Sequence, residues 1–173
     1  KTFNEKNKPS KQEKEQIVDF LFANLEQYGD PRQDILKCAD YALKESDSFG
    51  GCINAAYQDN EVVGAVIVNK TGMKDYIPEN ILVYIAVHEN ARGKGIGKKL
   101  MNKAIELADG DIALHVEPKN PAKFLYEKLG FTWDEVHEVA EQLEHIQSQK
   151  LIDRLDMLLN YPSFDPHGDI IPT

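Results

Sequence analysis

The stretch ILVYIAVHENARGKGIGKKLMNKAIELAD, residues 81–109, decides the fold of this chain. It begins with residues 81–87, an apolar and β-branched run of strand length that predicts a buried strand. Residues 92–97 follow and are rich in glycine, so their backbone N–H groups are unobstructed by Cβ atoms. From about Gly95 the apolar residues recur at helical spacing, which predicts an amphipathic helix. A strand, a glycine turn and a helix N-terminus together predict an anion site, because the helix dipole and the first-turn amides point at the same place.

The spacing of the glycines narrows the choice of anion. A Walker loop needs Gly, four residues and then Gly-Lys-Ser/Thr, and a dinucleotide fingerprint needs Gly-x-Gly-x-x-Gly; the stretch fits neither pattern. It does fit Arg/Gln-x-x-Gly-x-Gly/Ala, which is filled by Arg92, Gly95 and Gly97. With the sequence NPAKFLYEKLGF at residues 120–131, which stands at the expected distance, the chain resembles the GCN5-related N-acetyltransferase (GNAT) superfamily.

This resemblance implies an α/β (α+β) fold with a mixed, mostly antiparallel central sheet flanked by helices. We predict a GNAT-like acetyltransferase domain over residues 1–131, with its core at residues 51–131, where the resemblance is good. Residues 132–173 are predicted to form an amphipathic helical C-terminal extension with a disordered proline-rich end. Both ends depart from the family. Residues 1–8 show no convincing strand, where members commonly begin with one, and the extension replaces the usual terminal β-hairpin.

Local signals predict the other elements. Ser10 and Glu13 form a capping box that starts a first helix. Gly29-Asp30-Pro31 ends that helix and opens a second one. Residues 52–57 and 62–68 are predicted to pair as a hairpin. The remaining predicted elements are a strand at residues 112–116 and a helix from Asn120 to Gly130.

The resemblance also implies acetyl-coenzyme A as the co-substrate. Its pyrophosphate would bind the amides of the glycine turn, with lysine side chains adding charge-assisted contacts. Its pantetheine arm would pair with the strand edge at residues 85–87, and the Val87 N–H is our candidate for stabilising the oxyanion. The alternative is a plain strand-to-helix connection with solvated lysines. The predicted cofactor-binding residues are Ile85, Ala86, Val87, Arg92, Gly93, Lys94, Gly95, Ile96, Gly97, Lys98, Asn120 and Lys123.

Two catalytic roles follow from the resemblance. Tyr126 matches the tyrosine that the family uses as the general acid toward the departing thiolate, and a phenol of pKa about 10 suits that role. Its alternative is an amphipathic core tyrosine. Many members carry the general base as Glu or Asp on the central strand, but Val83 and Tyr84 stand there in this chain, so that assignment fails. Glu117 is the predicted base. The alternatives are His115, Glu79, Asp59 and Glu61, or a water chain to bulk solvent.

Composition sets the class of protein. A length of 173 residues is enough for one domain with a sizeable core. The net charge of −9 argues against nucleic acid as a partner and mildly favours a cationic acceptor. No apolar run is long enough for a membrane span, and Cys38 and Cys52 are too few for a disulfide framework, so we predict a cytoplasmic protein with reduced thiols. The five histidines show no mutual ligand spacing, so no metal is predicted.

We therefore predict an acetyl-CoA-dependent N-acetyltransferase. A primary amine, on a small molecule or on a protein, would attack the thioester directly in a ternary complex. The alternative is an acetyl-CoA-binding regulatory or interaction protein with little or no turnover, suggested by the missing strand carboxylate and the unusual extension. The apolar stripe of the extension would dock on its own fold, on a second copy of the chain in a homodimer, or on another protein, and the sequence leaves all three open.

Overall fold

A five-stranded sheet lies at the centre of our computed structural model. The first four strands are antiparallel to their neighbours and the fifth runs parallel to the fourth, which confirms the predicted mixed, mostly antiparallel sheet. In the order of both chain and sheet they are β1 (Thr2–Phe3), β2 (Gly51–Gln58), β3 (Glu61–Lys70), β4 (Asn80–Val87) and β5 (Ile112–Leu114).

The structure describes residues 1–25, 29–75, 77–116, 120 and 123–130. Within these parts the helices are α1 (Lys11–Leu25), α2 (Arg32–Ala42), α3 (Ile96–Leu107) and α4 (Lys123–Lys128), with a 3-10 turn at Glu89–Ala91. The chain divides into two compact units, residues 1–129 and residues 130–173. The predicted helical extension over residues 132–173 and the predicted base Glu117 lie outside the described residues.

The prediction that residues 1–8 contain no strand was wrong. Thr2 pairs with Asn54 and Phe3 with Ile53, so β1 extends the sheet at its first edge. The Thr2 hydroxyl donates a hydrogen bond to Asn54 Oδ1 at 2.7 Å, and Phe3 is buried in the core. Two residues are too few for an alternating pattern to be visible in the sequence, because such a pattern needs at least four.

Two other local features that the sequence predicted, a helix cap and a hairpin turn, are present in the structure. The capping box at the start of α1 is present: the Ser10 N–H donates to Glu13 Oε2 at 2.9 Å, and the Glu13 N–H donates to Ser10 Oγ at 3.2 Å. The turn between β2 and β3 has positive φ at Asp59 (51°) and Asn60 (67°). Two successive positive φ values match the twist of the strands and close the hairpin tightly.

The two faces of the sheet are covered by different helices. The apolar sides of α1 and α2 pack on one face and bury the largest part of the core there. On the other face α3 lies close to β3, since a Cβ added at Gly64 would be 3.0 Å from both Ile96 Cγ2 and Leu100 Cδ1. The buried residues beneath α1 and α2 include Ile17, Val18, Leu21, Ile35, Ala39, Leu43, Ile53, Ala65, Ile67, Tyr84 and Ala86.

A bulge in β4 changes which face its side chains meet. Ile67 pairs with Tyr84, whereas the next residue of β3, Val68, pairs with Leu82, so Val83 is an extra residue in the ladder. The bulge reverses the alternation of side chains at that point. Tyr84 therefore joins Ile67 in the core beneath α1 and α2, and Leu82 is buried outside that cluster.

Candidate active site

The two strands at the far edge of the sheet separate from each other. β4 and β5 pair only at Asn80 with Ile112, Ile81 with Ala113 and Leu82 with Leu114. The rest of β4, as far as Val87, continues beyond the end of β5. In the described part of the chain, this second half of β4 is paired with β3 on one side and open on the other.

The open edge of β4 carries two outward amides. The His88 N–H donates to the Val63 carbonyl of β3 at 3.0 Å. Because N–H groups alternate in direction along a strand, the Ala86 N–H also points toward β3, and those of Ile85 and Val87 point to the open edge. Two of the three amides predicted for the cofactor arm thus face the gap between β4 and β5.

The turn that follows β4 is built from a 3-10 turn and two left-handed glycines. His88 Nδ1 accepts the Asn90 N–H at 3.2 Å, and Arg92 Nε donates to the Val87 carbonyl at 3.2 Å. Gly93 and Gly95 have φ of +75° and +77°. Only glycine adopts this conformation without strain, which explains why the motif needs glycine there.

The N-terminus of α3 opens directly after this turn. The N–H groups of Ile96, Gly97 and Lys98 have no acceptor within the helix, because an α-helix leaves its first-turn amides unpaired. The helix dipole places partial positive charge at the same end. Lys94 and Lys98 are exposed on either side of this terminus and add full positive charges.

Gly97 is the point where the pieces of the site meet. A Cβ at Gly97 would lie 3.4 Å from Leu125 Cδ2 of α4 and 3.7 Å from Val87 Cγ2 of β4. The fold therefore brings together both halves of the sequence motif, although about 25 residues separate them. Asn120 is half-buried, and Lys123 is the first residue of α4.

Tyr126 lies in α4, next to Leu125. Its side chain is 7% exposed, and burial raises its pKa to about 12. Burial disfavours the charged phenolate, so the hydroxyl remains a proton donor throughout the neutral range. Helix α4 ends where the Leu129 N–H donates to the Leu125 carbonyl, and Gly130 follows with φ of +86°.

The candidates for the general base differ in their surroundings. Glu79 Oε2 accepts the Asp111 N–H at 2.8 Å, and this bond lowers the pKa of the carboxyl. Glu79 thus holds the start of β5 in place. His115, Asp59 and Glu61 are exposed.

One polar pair was missed by the sequence-based prediction. The Tyr84 hydroxyl donates to Asp30 Oδ2 at 2.5 Å, which joins the middle of β4 to the connection between α1 and α2. Burial, followed by the hydrogen bond to the Asp30 carboxylate, raises the pKa of Tyr84. The sequence offered one signal: a tyrosine within a buried strand needs a partner for its hydroxyl. It did not identify Asp30, which we interpreted only as part of a helix break.

Metal-binding clusters and membrane-spanning helices are absent from the described residues. They contain no group of three or more His, Cys, Asp or Glu side chains able to hold a metal ion. No helix in these parts has the length and apolar character needed to cross a membrane. Cys38 and Cys52 are free thiols, and burial raises the pKa of Cys38 to about 12, so it is not an activated nucleophile.

Comparison with known families agrees with the geometry. The model of the acetyltransferase (GNAT) family matches residues 14–131, more than half of the chain. The chain therefore belongs to the GNAT family. A second model, the iron dependent repressor metal binding and dimerisation domain, matches residues 122–173.

Individual relatives are more distant. A 5-NmdU N-acetyltransferase of Pseudomonas phage PaMx11 is 32% identical over 84 residues, covering 47% of this chain and 58% of that protein. A probable metal transport system membrane protein of Chlamydia trachomatis serovar D is 39% identical over 49 residues, covering 28% of this chain and 11% of that protein. The chain thus spans less than two thirds of either curated relative. Among solved structures, aminoglycoside N-acetyltransferase AAC(6')-Iy in complex with CoA shares the fold, with a TM-score of 0.55 and 18% identity over 78% of this chain and 88% of that one.

Proposed function

We propose that this protein is an acetyl-CoA-dependent N-acetyltransferase that acetylates a primary amine by direct attack in a ternary complex. The observation that carries the proposal is the meeting, at Gly97, of the open edge of β4 with the N-terminus of α3. A strand edge suits the amides of a pantetheine arm, and a helix N-terminus suits a pyrophosphate. The GNAT family match over residues 14–131 supports the same reading.

In this proposal the backbone does most of the binding. The pyrophosphate would accept hydrogen bonds from amides between Arg92 and Lys98, and Lys94 would add a charge-assisted contact. The pantetheine arm would pair with the outward N–H groups of Ile85 and Val87. The Val87 carbonyl already accepts from Arg92 Nε, which fixes the direction of the strand end where the thioester would lie. Asn120 and Lys123, in the second half of the motif, would contact the arm.

The reaction needs one bond made, one bond broken and two proton movements. The amine nitrogen attacks the thioester carbon, and the Val87 N–H stabilises the oxyanion that forms. The carbon–sulfur bond then breaks and the sulfur takes a proton, while the nitrogen loses one, for which Glu117 stays the candidate base.

The raised pKa of Tyr126 constrains its part in this step. Tyr126 has a pKa of about 12, whereas an ordinary thiol has a pKa of about 8.5. Transfer of a proton from the tyrosine to the thiolate is therefore uphill by roughly 5 kcal/mol. The same burial raises the pKa of the departing thiol and narrows the gap. Tyr126 would therefore donate a hydrogen bond to the sulfur as negative charge develops there, with the proton following as the bond to carbon breaks.

Thiol release from acetyl-CoA, measured against a panel of amines, tests the proposal. Tyr126→Phe keeps the ring and removes only the hydroxyl, so kcat should fall by about a hundredfold or more, with the Kd for acetyl-CoA unchanged by calorimetry. Tyr41→Phe is the matched control, since the hydroxyl of Tyr41, on α2, donates to the Lys70 carbonyl at the end of β3, and its kcat should stay at the wild-type value. The panel should include the 5-NmdU amine named for the phage relative. If Tyr126→Phe retained full activity, Tyr126 would not be the general acid.

A second candidate function is favoured by one observation, the match of residues 122–173 to a metal binding and dimerisation domain. We propose that the extension binds a divalent metal ion and joins two chains. His137, Glu141, Glu144 and His145 are spaced by three or four residues, which would bring them together on one side of the predicted helix. Imidazole and carboxylate ligands suit Mn²⁺ or Fe²⁺.

Equilibrium dialysis with Mn²⁺, followed by sedimentation velocity with and without the metal, tests this second function. The double variant Glu141→Gln/His145→Ala should lose the metal and the metal-dependent dimer. Glu135→Gln removes the same charge from a different side of the predicted helix and should keep both. Binding that survives in the double variant would exclude this set of ligands. If the protein binds metal but transfers no acetyl group, the alternative of a regulatory protein that binds acetyl-CoA without turnover would be favoured.

A further inference from the structure

The pair formed by Tyr84 and Asp30 has no part in the steps above. Tyr84 is 7% exposed and rises from the middle of β4 into the core beneath α1 and α2. Its hydroxyl donates to Oδ2 of Asp30, which lies exposed in the connection between the two helices. One oxygen of the carboxylate is thus fixed by the Tyr84 hydroxyl of β4, and the carboxylate as a whole lies at the surface.

The charges around Asp30 leave its own charge uncompensated. The guanidinium of Arg32 is paired with Glu15 and Asp19 of α1, and Lys37 is paired with Asp34. Among the described residues, therefore, no cation is paired with Asp30. The Asp34 carboxylate also lies within electrostatic range of the Tyr84 hydroxyl. The surface around Asp30 is therefore negative, and a negative surface attracts cationic molecules.

The distance along β4 shows whether the Asp30 carboxylate could act as the general base or only as a binding group. Tyr84 precedes Val87 by three residues, which corresponds to roughly 10 Å along β4. A general base has to reach the proton directly or through one water molecule. Asp30 is therefore too far from a nitrogen that attacks beside the Val87 amide. It is well placed, however, for a second group on the same acceptor molecule.

We propose that Asp30, held in position by Tyr84, binds a second positive charge of the acceptor, so that the preferred substrates are diamines or other polycationic amines. The inference deepens the proposed acetyltransferase function and rests on it. Asp30 would contact the substrate, and Tyr84 would act only through Asp30, as a positioning residue. The net charge of −9 agrees with a cationic acceptor.

The test compares α,ω-diaminoalkanes, from diaminobutane to diaminodecane, with monoamines of equal chain length in the thiol-release assay. For the wild type, KM should be lowest for the longer diamines, because roughly 10 Å along β4 is only the lower limit of the span and the Tyr84 side chain sets Asp30 still farther from Val87. Asp30→Asn still accepts the Tyr84 hydrogen bond but has no charge. Its KM for those diamines should rise about fivefold, as expected for an exposed ion pair, with kcat and all monoamine constants unchanged. Asp109→Asn, an exposed carboxylate after α3, is the control and should change neither constant.

A second variant and a second readout separate this inference from the proposed function. Tyr84→Phe should raise KM for diamines in the same direction as Asp30→Asn, with monoamines again unaffected. Equilibrium binding of the same diamines, measured by calorimetry with acetyl-CoA present, needs no turnover. If Asp30→Asn weakens the binding of diamines but no amine causes thiol release, Asp30 binds the second charge as proposed and the proposed transferase activity is wrong. If the wild type binds diamines and monoamines with equal affinity, or if Asp30→Asn affects both equally, then Asp30 does not bind a second positive charge and the inference is wrong.

Discussion

Replacing Gly95 with alanine tests the left-handed turn on which the cofactor site depends. Gly95 has φ of +77°, and a residue with a Cβ pays about 1–2 kcal/mol in that conformation. Alanine also restricts the unfolded chain, which returns about 0.4–1 kcal/mol. An added Cβ at Gly95 meets no atom within 4 Å, so there is neither a clash nor a gain in packing. We therefore expect the free energy of unfolding to fall by about 1 kcal/mol.

Urea unfolding followed by far-ultraviolet circular dichroism measures this loss, and Gly97→Ala is the matched control. Gly97 lies in the first turn of α3, without positive φ, and its new Cβ would be in ordinary contact at 3.4 Å from Leu125 and 3.7 Å from Val87. Alanine is the better helix former by about 0.5–1 kcal/mol, so this variant should be as stable as the wild type or more stable. The family pattern admits alanine at the same position.

The two variants together decide whether the turn is as described. If Gly95→Ala is as stable as the wild type, the residue does not have a left-handed backbone in solution, and the account of the turn is wrong. If both variants lose stability equally, the effect comes from packing near α4 rather than from backbone conformation. Calorimetric titration of both variants with acetyl-CoA then shows whether the strained turn also weakens binding, as displacement of its amides would require.

Three further predictions concern packing and titration. Gly64→Val should lower the free energy of unfolding by about 1–3 kcal/mol in urea, because even its Cβ would lie 3.0 Å from two side chains of α3; an unchanged midpoint would contradict the close contact. Glu13 has its pKa lowered to about 2 by the Lys1 ammonium and the helix cap, so its stabilising effect should be present above pH 4.5 and disappear as the pH falls toward 2. Acid unfolding of Glu13→Gln should lack that part of the pH dependence. Since burial raises the pKa of Tyr126 to about 12, kcat should show no alkaline loss from tyrosine ionisation below about pH 11, and a loss that Tyr126→Phe abolishes would refute this.

The strand, turn and helix at the centre of the chain were predictable because their signals are local. Seven apolar residues in a row, three closely spaced glycines and a helical stripe each report on their own neighbourhood. The observed bounds, Asn80–Val87 for the strand and Ile96–Leu107 for the helix, differ from the prediction by no more than two residues. The capping box at Ser10 and the hairpin turn at Asp59 and Asn60 were predictable for the same reason.

Features that depend on contacts distant in sequence were not predictable. β1 exists because Phe3 finds room in a core that other elements build, and its two residues carry no pattern of their own. The partner of Tyr84 lies 54 residues away, and no periodicity connects them. The general base stays a prediction, since Glu117 lies outside the described residues and the other candidates are solvated or, like Glu79, bound elsewhere.

The bulge at Val83 links the two halves of the proposed reaction. Without the bulge, Leu82 and Tyr84 would share one face of β4, since side chains two apart in a regular strand point the same way. With it, Leu82 stays outside the cluster beneath α1 and α2, whereas Tyr84 turns into that cluster and reaches Asp30. Beyond the bulge, the N–H groups of Ile85 and Val87 point to the edge that β5 leaves open. The same strand thus offers an edge for the proposed cofactor arm and a face for the proposed acceptor, and an acceptor bound over that face would approach the thioester from the side of the sheet opposite α3.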